Sequence, residues 1–176
     1  GVVGEDAVAG QCMEILEELQ ISHQGIIGDS ERPTTVKSRI IANNQHVVRA
    51  DRECEQEISQ QIEEKVLWVL NQLKDQVEAI IVQDYNKGLI TPTVISTICQ
   101  LGETDGKIIT VDPKYHNFFS YHHVTVFKPN QREVETALNI SIQSKEDLIK
   151  AGQEILTRLS SQNVLITRGA KGMMLI

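Results

Sequence analysis

The sequence predicts an α/β protein, a mainly parallel sheet flanked by helices with a small β-hairpin standing apart from it. Three observations predict this. Apolar residues recur at helical spacing in four segments, and four short, continuous apolar runs alternate with them. Residues 32–51, RPTTVKSRIIANNQHVVRAD, instead interleave β-branched and basic side chains in two runs joined at Asn43-Asn44.

The first helix is carried by Cys12, Ile15, Leu16 and Leu19, whose spacing lines one helical face. The hairpin follows, at about residues 33–52. Its β-branched residues suit strands, and Asn-Asn accepts the positive φ angles that a tight turn requires. Side chains alternate across a strand, so Thr35, Lys37, Arg39 and Ile41 share one face, opposite Val36, Ser38, Ile40 and Ala42. One face of the ribbon is therefore polar and cationic. The longest helical pattern is Ile58, Ile62, Val66, Val69, Leu70 and Leu73. A third helix, Val94, Ile95, Ile98 and Leu101, follows Thr91-Pro92, where proline suits a first helical turn; Leu148, Ile155, Leu156 and Leu159 mark a fourth. The apolar runs 79–82, 108–111, 124–127 and 164–167 lack polar alternation, as strands covered by helices on both faces do. No internal repeat, low-complexity tract or Pro/Gly-rich linker interrupts the order. The 176 residues are expected to form one domain or a large piece of one.

Charge narrows the partners. Lys plus Arg number 17 against 24 Asp plus Glu, a formal net charge of −7, which argues against a general nucleic-acid surface or a surface for anionic membranes. An anion must be met locally, and the concentration of Lys37, Arg39 and Arg49 on one hairpin is the place to meet it. Cys12, Cys54 and Cys99 are odd in number, far apart and without metal-ligand spacing, so reduced thiols in a cytoplasmic protein are expected rather than disulfides or zinc. No apolar run approaches the roughly 20 residues of a membrane span.

In open α/β sheets chemistry gathers at the carboxyl ends of strands. Four such ends are polar here: residues 83–88 with Asp84 and Lys87, residues 112–114 with Asp112 and Lys114, residues 128–133 with Asn130 and Glu133, and residues 167–172 with Thr167, Arg168, Gly169, Lys171 and Gly172. Taken singly, Asp112 can be a turn residue and Asn130 a helix cap. Four together point to a ligand site.

Taken in order, GVVGEDAVAG (residues 1–10), RPTTVKSRIIA (32–42), VVRADRE (47–53), DYNKGLIT (84–91), VDPK (111–114), KPNQRE (128–133) and TRGAKGM (167–173) carry a resemblance. The chain resembles the ribokinase-like (PfkB) carbohydrate kinases and, within them, the kinases acting on D-glycero-β-D-manno-heptose 7-phosphate. The resemblance implies a ribokinase-like fold whose hairpin is a lid over the sugar. Thr35, Lys37, Arg39, Arg49 and Asp51 match the substrate-facing motif, with Lys87 and Lys114 in loops near the substrate or the transferring phosphoryl group. Asn130 and Glu133 match the N-x-x-E motif that organises ATP phosphates and hydrated Mg²⁺, Glu133 acting through water. Thr167, Gly169 and Gly172 match the nucleotide-side loop. The implied reaction is ATP-dependent phosphorylation of the C1 hydroxyl, supplying ADP-heptose for lipopolysaccharide, by a cytoplasmic homodimer joined through its lid hairpins.

The same resemblance implies two motifs that residues 1–176 lack, an early Gly-Gly and a Gly-Ala-Gly-Asp carrying the catalytic base. The base is expected beyond Ile176, and this segment by itself is expected to show little or no kinase activity. Asn86 stands where the DYGKG form of the family has glycine, and residues 115–117 lack the glycine that often follows DPK. Other readings are another PfkB-family sugar or phosphosugar kinase, and a non-catalytic module binding sugar phosphate or nucleotide. A nicotinamide oxidoreductase is disfavoured because the glycine fingerprint is absent, Gly10 falling inside the first helical pattern with no suitable strand read ahead of it.

Overall fold

The computed structural model describes residues 1–42 and 45–176. The predicted Asn43-Asn44 turn lies outside the described residues. The chain divides into two compact units, Gly1–Gln72 with Lys87–Leu89, and Leu73–Asn86 with Ile90–Ile176.

In the first unit, β1 (Val2–Gly4) pairs in parallel with β2 (Ile27–Asp29), and α1 (Ala7–Glu18) lies between them in sequence. A strand therefore does precede Gly10, contrary to the sequence reading; three residues are too few to display a period, and only pairing with β2 reveals them. Asp6 starts α1 by accepting the Ala9 N–H at 3.1 Å, an N-cap. Its other oxygen accepts the Thr34 N–H at 3.1 Å and an Arg52 N–H at 2.7 Å. Hydrogen bonds from Thr34, ahead of the Arg52 charge, pull the Asp6 carboxyl down to about 2.

The hairpin consists of β3 (Val36–Ala42) and β4 (Gln45–Arg52), paired antiparallel. Lys37 stands opposite Asp51 and Arg39 opposite Arg49, so these four share one face, the cationic face read from the sequence. The register shifts between Ile40 and Ile41, where Val47 on the other strand is the extra residue. α2 (Gln60–Leu73) buries Ile62 and Val66. Ile58, read as part of this helix, lies just ahead of it and is buried.

The second unit is a five-stranded sheet of order β5 (Ala79–Gln83), β6 (Ile108–Asp112), β7 (Val126–Phe127), β8 (Asn163–Thr167), β9 (Met173–Leu175). Its first four strands are parallel and β9 closes one edge antiparallel. The helices are α3 (Pro92–Thr104), capped by Thr91, α4 (Gln131–Leu138), and α5 (Lys145–Leu159), capped by Ser144. Ile109, Val111, Phe127, Val134, Leu148, Ile155 and Ile166 form a core with essentially no exposure. The run 124–127 yields only two strand residues. Thr125 explains this: its Oγ1, in place of a carbonyl, accepts the Ile109 N–H at 3.0 Å, while its own N–H donates to Ile109 O at 2.9 Å.

Two carboxylates, Asp84 and Glu133, are deeply buried among the described residues of this unit. Asp84, just past β5 and 1% exposed, accepts the Tyr121 hydroxyl at 2.8 Å, the Asn117 amide at 3.4 Å and the Asn86 N–H at 2.8 Å. Burial first, and the Asp84 charge second, push the Tyr121 hydroxyl far above its ordinary range, so it remains a donor. Asn117 also donates to Ile90 O at 3.0 Å, so the same node holds the chain on both sides of residues 87–89.

Removing the Tyr121 donor in Tyr121→Phe leaves a buried carboxylate short of a partner, and denaturant unfolding is expected to show a loss of about 1–3 kcal/mol. A loss under about 0.5 kcal/mol would contradict the role assigned to the node. For Asp6 the folded pKa of about 2 lies below the unfolded carboxyl range, so its contribution is present above that range and vanishes as pH falls through the folded value. Asp6→Asn is expected to lower the melting temperature by a constant amount from pH 5 to 7, at roughly one to three units above the unfolded carboxyl pKa. That difference should shrink steadily toward pH 2; a gap that persists there would show that the carboxylate charge is not involved.

Candidate active site

On the hairpin, three of the predicted substrate residues, Lys37, Arg49 and Asp51, join a charged row that continues through Glu53 to Lys87. Asp51 takes the Arg49 Nε at 2.9 and 2.8 Å and lies 3.8 Å from Lys37 Nζ. Lys37 donates to Glu53 Oε2 at 3.1 Å, and Glu53 Oε1 accepts Lys87 Nζ at 2.6 Å. Lys87 also reaches Glu55 at 2.6 Å. Cations hold Asp51 and Glu53 below the usual carboxylate range, Arg49 being the main cause for Asp51 and Lys87, then Lys37, for Glu53. In return Glu53 and Glu55 hold Lys87 above its usual range. Arg39 makes no ion pair among the described residues. Thr35 is exposed, lies just ahead of β3 and joins none of these contacts; the buried neighbour Thr34 is the structural one, its Oγ1 accepting the Gly4 N–H at 2.9 Å.

Lys87 is placed by its backbone as well as its charge. Lys87 O accepts an Arg32 N–H at 3.0 Å, and Arg32 is itself fixed by the Asp29 carboxylate at 2.8 Å. Gly88 adopts φ 76°, and a Cβ there would fall 1.8 Å from Gln56 O, so only glycine fits. Asn86, where the related motif has glycine, sits at φ 53°, a left-handed conformation that asparagine tolerates better than most residues. The substitution preserves the turn.

In the second unit, the ends of β6, β7 and β8 bring the nucleotide-side candidates together. Asn130 and Glu133 form a reciprocal capping box on α4: Asn130 Oδ1 accepts the Glu133 N–H at 2.9 Å, and Glu133 Oε2 accepts the Asn130 N–H at 2.8 Å. The other Glu133 oxygen is bound by Lys114. Burial draws the Lys114 ammonium down, but the hydrogen bond and charge of Glu133 outweigh it and hold the group above its usual range. Beside this pair, Asp112 accepts Lys128 at 2.8 Å and the Gln83 amide at 2.8 Å.

Asn130 and Thr167 are joined by an isolated parallel bridge, and the Thr167 N–H donates to Pro129 O at 2.9 Å. Thr167 and Gly169 line a shallow cleft with Asn130, Arg132, Arg168 and Lys171. Gly172 donates back to Gly169 O at 3.1 Å, and both glycines have positive φ, 58° and 80°, in open space. Their requirement is conformational. Of the three cations of this cleft, Arg168 and Lys171 were legible only as members of a polar strand end, and Arg132, in the first turn of α4, carried no mark in the sequence of the cleft it would face. Glu53 was likewise present in the VVRADRE motif without an assigned partner.

Glu133 is 2% exposed with both oxygens engaged, Asn130 Oδ1 is engaged as well, and the described residues contain no group of three His, Cys, Asp or Glu side chains able to hold a metal. These residues fit a divalent cation held through water and phosphate oxygens rather than by direct protein ligation. The Lys114–Glu133 contact should be strongly coupled. Lys114→Met alone is expected to cost about 2–4 kcal/mol in denaturant unfolding, because it strands a buried carboxylate. Adding Glu133→Gln should recover part of that loss, whereas strictly additive costs would show that the two groups do not compensate one another.

The chain matches the pfkB family carbohydrate kinases over residues 1–176. It is 37% identical over 174 residues to the bifunctional protein HldE of Geotalea uraniireducens, covering 99% of this chain and 36% of that protein. It is 40% identical over 151 residues to the bifunctional protein HldE of Wolinella succinogenes, covering 86% of this chain and 32% of that protein. The chain thus spans 36% and 32% of the length of these curated relatives. Among solved structures, ribokinase from Giardia lamblia superposes with a TM-score of 0.75 at 16% identity, over 100% of this chain and 54% of that one. Phosphofructokinase-2 from Escherichia coli superposes with a TM-score of 0.74 at 12% identity, over 99% and 56%. A ribokinase-like fold, with its parallel sheet and separate antiparallel hairpin, and a family match running from the first residue to the last lead to one statement: this chain belongs to the pfkB family of carbohydrate kinases.

Proposed function

We propose that the protein containing this chain transfers the γ-phosphoryl group of ATP to the C1 hydroxyl of D-glycero-β-D-manno-heptose 7-phosphate. The observation that carries the reading is the charged row on the hairpin, in which Lys37, Arg39 and Arg49 share one face and Lys87 joins them through Glu53. A carbohydrate kinase whose acceptor already bears a phosphate needs cations near the sugar as well as near ATP, and this hairpin supplies them. The motifs of residues 32–42, 47–53 and 84–91 resemble the heptose 7-phosphate kinases, and the two curated relatives described above are both named HldE.

Phosphoryl transfer depends mainly on positioning and on stabilising charge spread over the phosphoryl oxygens. Under this proposal, Thr35, Lys37, Arg39, Arg49, Asp51 and Lys87 hold the sugar phosphate, and Lys114 meets the transferring phosphoryl group. Asn130, Thr167, Gly169 and Gly172 form the ATP side. Asn130 and Glu133 are the residues that would hold a hydrated Mg²⁺ through its water, and the ion would supply neutralisation of phosphate charge. The general base is assigned to an aspartate outside residues 1–176. The proposal includes a homodimer joined through the hairpins, on which Ile40, Ile41, Val47 and Val48 are 58%, 58%, 63% and 48% exposed. It also includes a cytoplasmic location and a role in supplying ADP-heptose for lipopolysaccharide; among the described residues, no helix is long and apolar enough to cross a membrane.

The test is a substrate panel on the full-length protein with ATP and Mg²⁺, with the product's new phosphate located by NMR. Heptose 7-phosphate is expected to yield the 1,7-bisphosphate. Turnover of fructose phosphates without turnover of heptose 7-phosphate would reassign the substrate within the family, and sugar-phosphate binding without any transfer would make the protein a binding module.

A further inference from the structure

We infer that Glu53 is a specificity-determining residue that reads sugar hydroxyls, and that recognition is divided along the hairpin: the Lys87–Glu53–Lys37–Asp51 row takes the polyol, and the Arg39–Arg49 step takes the phosphate. This inference rests on the phosphosugar kinase reading above.

The first support is charge. Lys37 and Lys87 are contacted by Asp51, Glu53 and Glu55, three carboxylates for two ammonium groups. A phosphate brought to either lysine meets at least two carboxylates already there, and like charges at that range repel. A hydroxyl meets no such conflict. It donates and accepts at once, so adjacent hydroxyls match a row in which ammonium and carboxylate alternate. The row is also the more enclosed end of the ribbon, with side-chain exposure of 22% for Lys87, 18% for Glu53, 30% for Lys37 and 19% for Asp51, against 55% for Arg49.

The second support is register. Arg39 and Arg49 are direct cross-strand partners, an arrangement that disfavours pairing unless an anion lies between them. Arg49 relieves part of the conflict by turning to Asp51, while Arg39 makes no ion pair among the described residues. Planar guanidinium groups are well suited to chelating phosphate oxygens. The Arg39–Arg49 step lies two residues along the ribbon from the Lys37–Asp51 step, roughly 7 Å, which separates the phosphate end of a long sugar from its ring hydroxyls.

The two assignments predict opposite signs for one variant. If phosphate sat on Lys37 and Lys87, Glu53→Gln would remove a repelling charge and tighten substrate binding. If the row reads hydroxyls, the same change weakens it. In the full-length enzyme, Glu53→Gln is expected to raise KM for heptose 7-phosphate about tenfold, the worth of a charge-assisted hydrogen bond. KM for ATP should stay within about twofold, and the preference for heptose 7-phosphate over unphosphorylated heptose, as a ratio of kcat/KM, should be unchanged. Arg39→Met is expected to lower that ratio about tenfold or more. Lys37→Met, a second variant that does not depend on the folding of Glu53→Gln, should behave like Glu53→Gln.

A lowered or unchanged KM in Glu53→Gln, or a fall in the preference ratio for Lys37→Met, would overturn the inference while leaving the kinase reading intact. Wild-type enzyme that ignores heptose 7-phosphate but phosphorylates another phosphosugar fails the substrate assignment alone, and the same ratios measured on that sugar then decide the role of Glu53. Absence of both turnover and calorimetric binding of any phosphosugar overturns both.

Discussion

The arrangement of the second unit's site depends on the satisfaction of one buried carboxylate. Glu133 is 2% exposed, and a charge so placed is costly unless both oxygens are met. One meets the N–H of Asn130 and the other Lys114, 19 residues earlier in the chain. The turn after β7 and the loop after β6 must therefore converge on α4, and the bridge between Asn130 and Thr167 ties the end of β8 to the same point. Asn130, Glu133, Lys114 and Thr167 are held by one set of bonds that could not be loosened at one member without exposing the demands of the others.

The hairpin follows a different electrostatic plan. Its ion pairs are partly exposed, so each is screened and individually weak. Weak pairs exchange partners easily. A charged row of this kind is kept in order by its own carboxylates. An acidic chain can thereby present a cationic patch without a permanent field that would draw every anion to it. The contrast is between a cluster fixed on sheet ends and a buried cap in the second unit, and partly exposed ion pairs carried on a ribbon in the first.

Much of the fold could be read because its elements are long enough to show a period. The helices at residues 60–73, 92–104 and 145–159 have apolar faces of several turns, and three of the four apolar runs became five-residue strands that match them at four positions each. β1, β2 and β9 escaped because three residues fit either period, and their pairing is decided by distant backbone. The run ending at Phe127 was overread because Thr125 substitutes a hydroxyl for a ladder carbonyl, something hydropathy cannot register. The N-x-x-E motif was ambiguous between a helix cap and a phosphate site. The ambiguity has a physical root: the atoms that cap α4 are the same ones that would order the water shell of a cation.

By itself the sequence determined the α/β class, the cationic face of the hairpin, the glycines that specify tight backbone and the family motifs in their order. These are local properties, set by alternation, helical spacing and the conformational range of single residues. Only the tertiary structure decided which charges meet. Lys87 and Glu53 are 34 positions apart, and nothing in either neighbourhood selects the other. Coulomb interactions and hydrogen bonds act through space, over a few ångströms, so the partner of each cation exists only after the backbone has brought the two together.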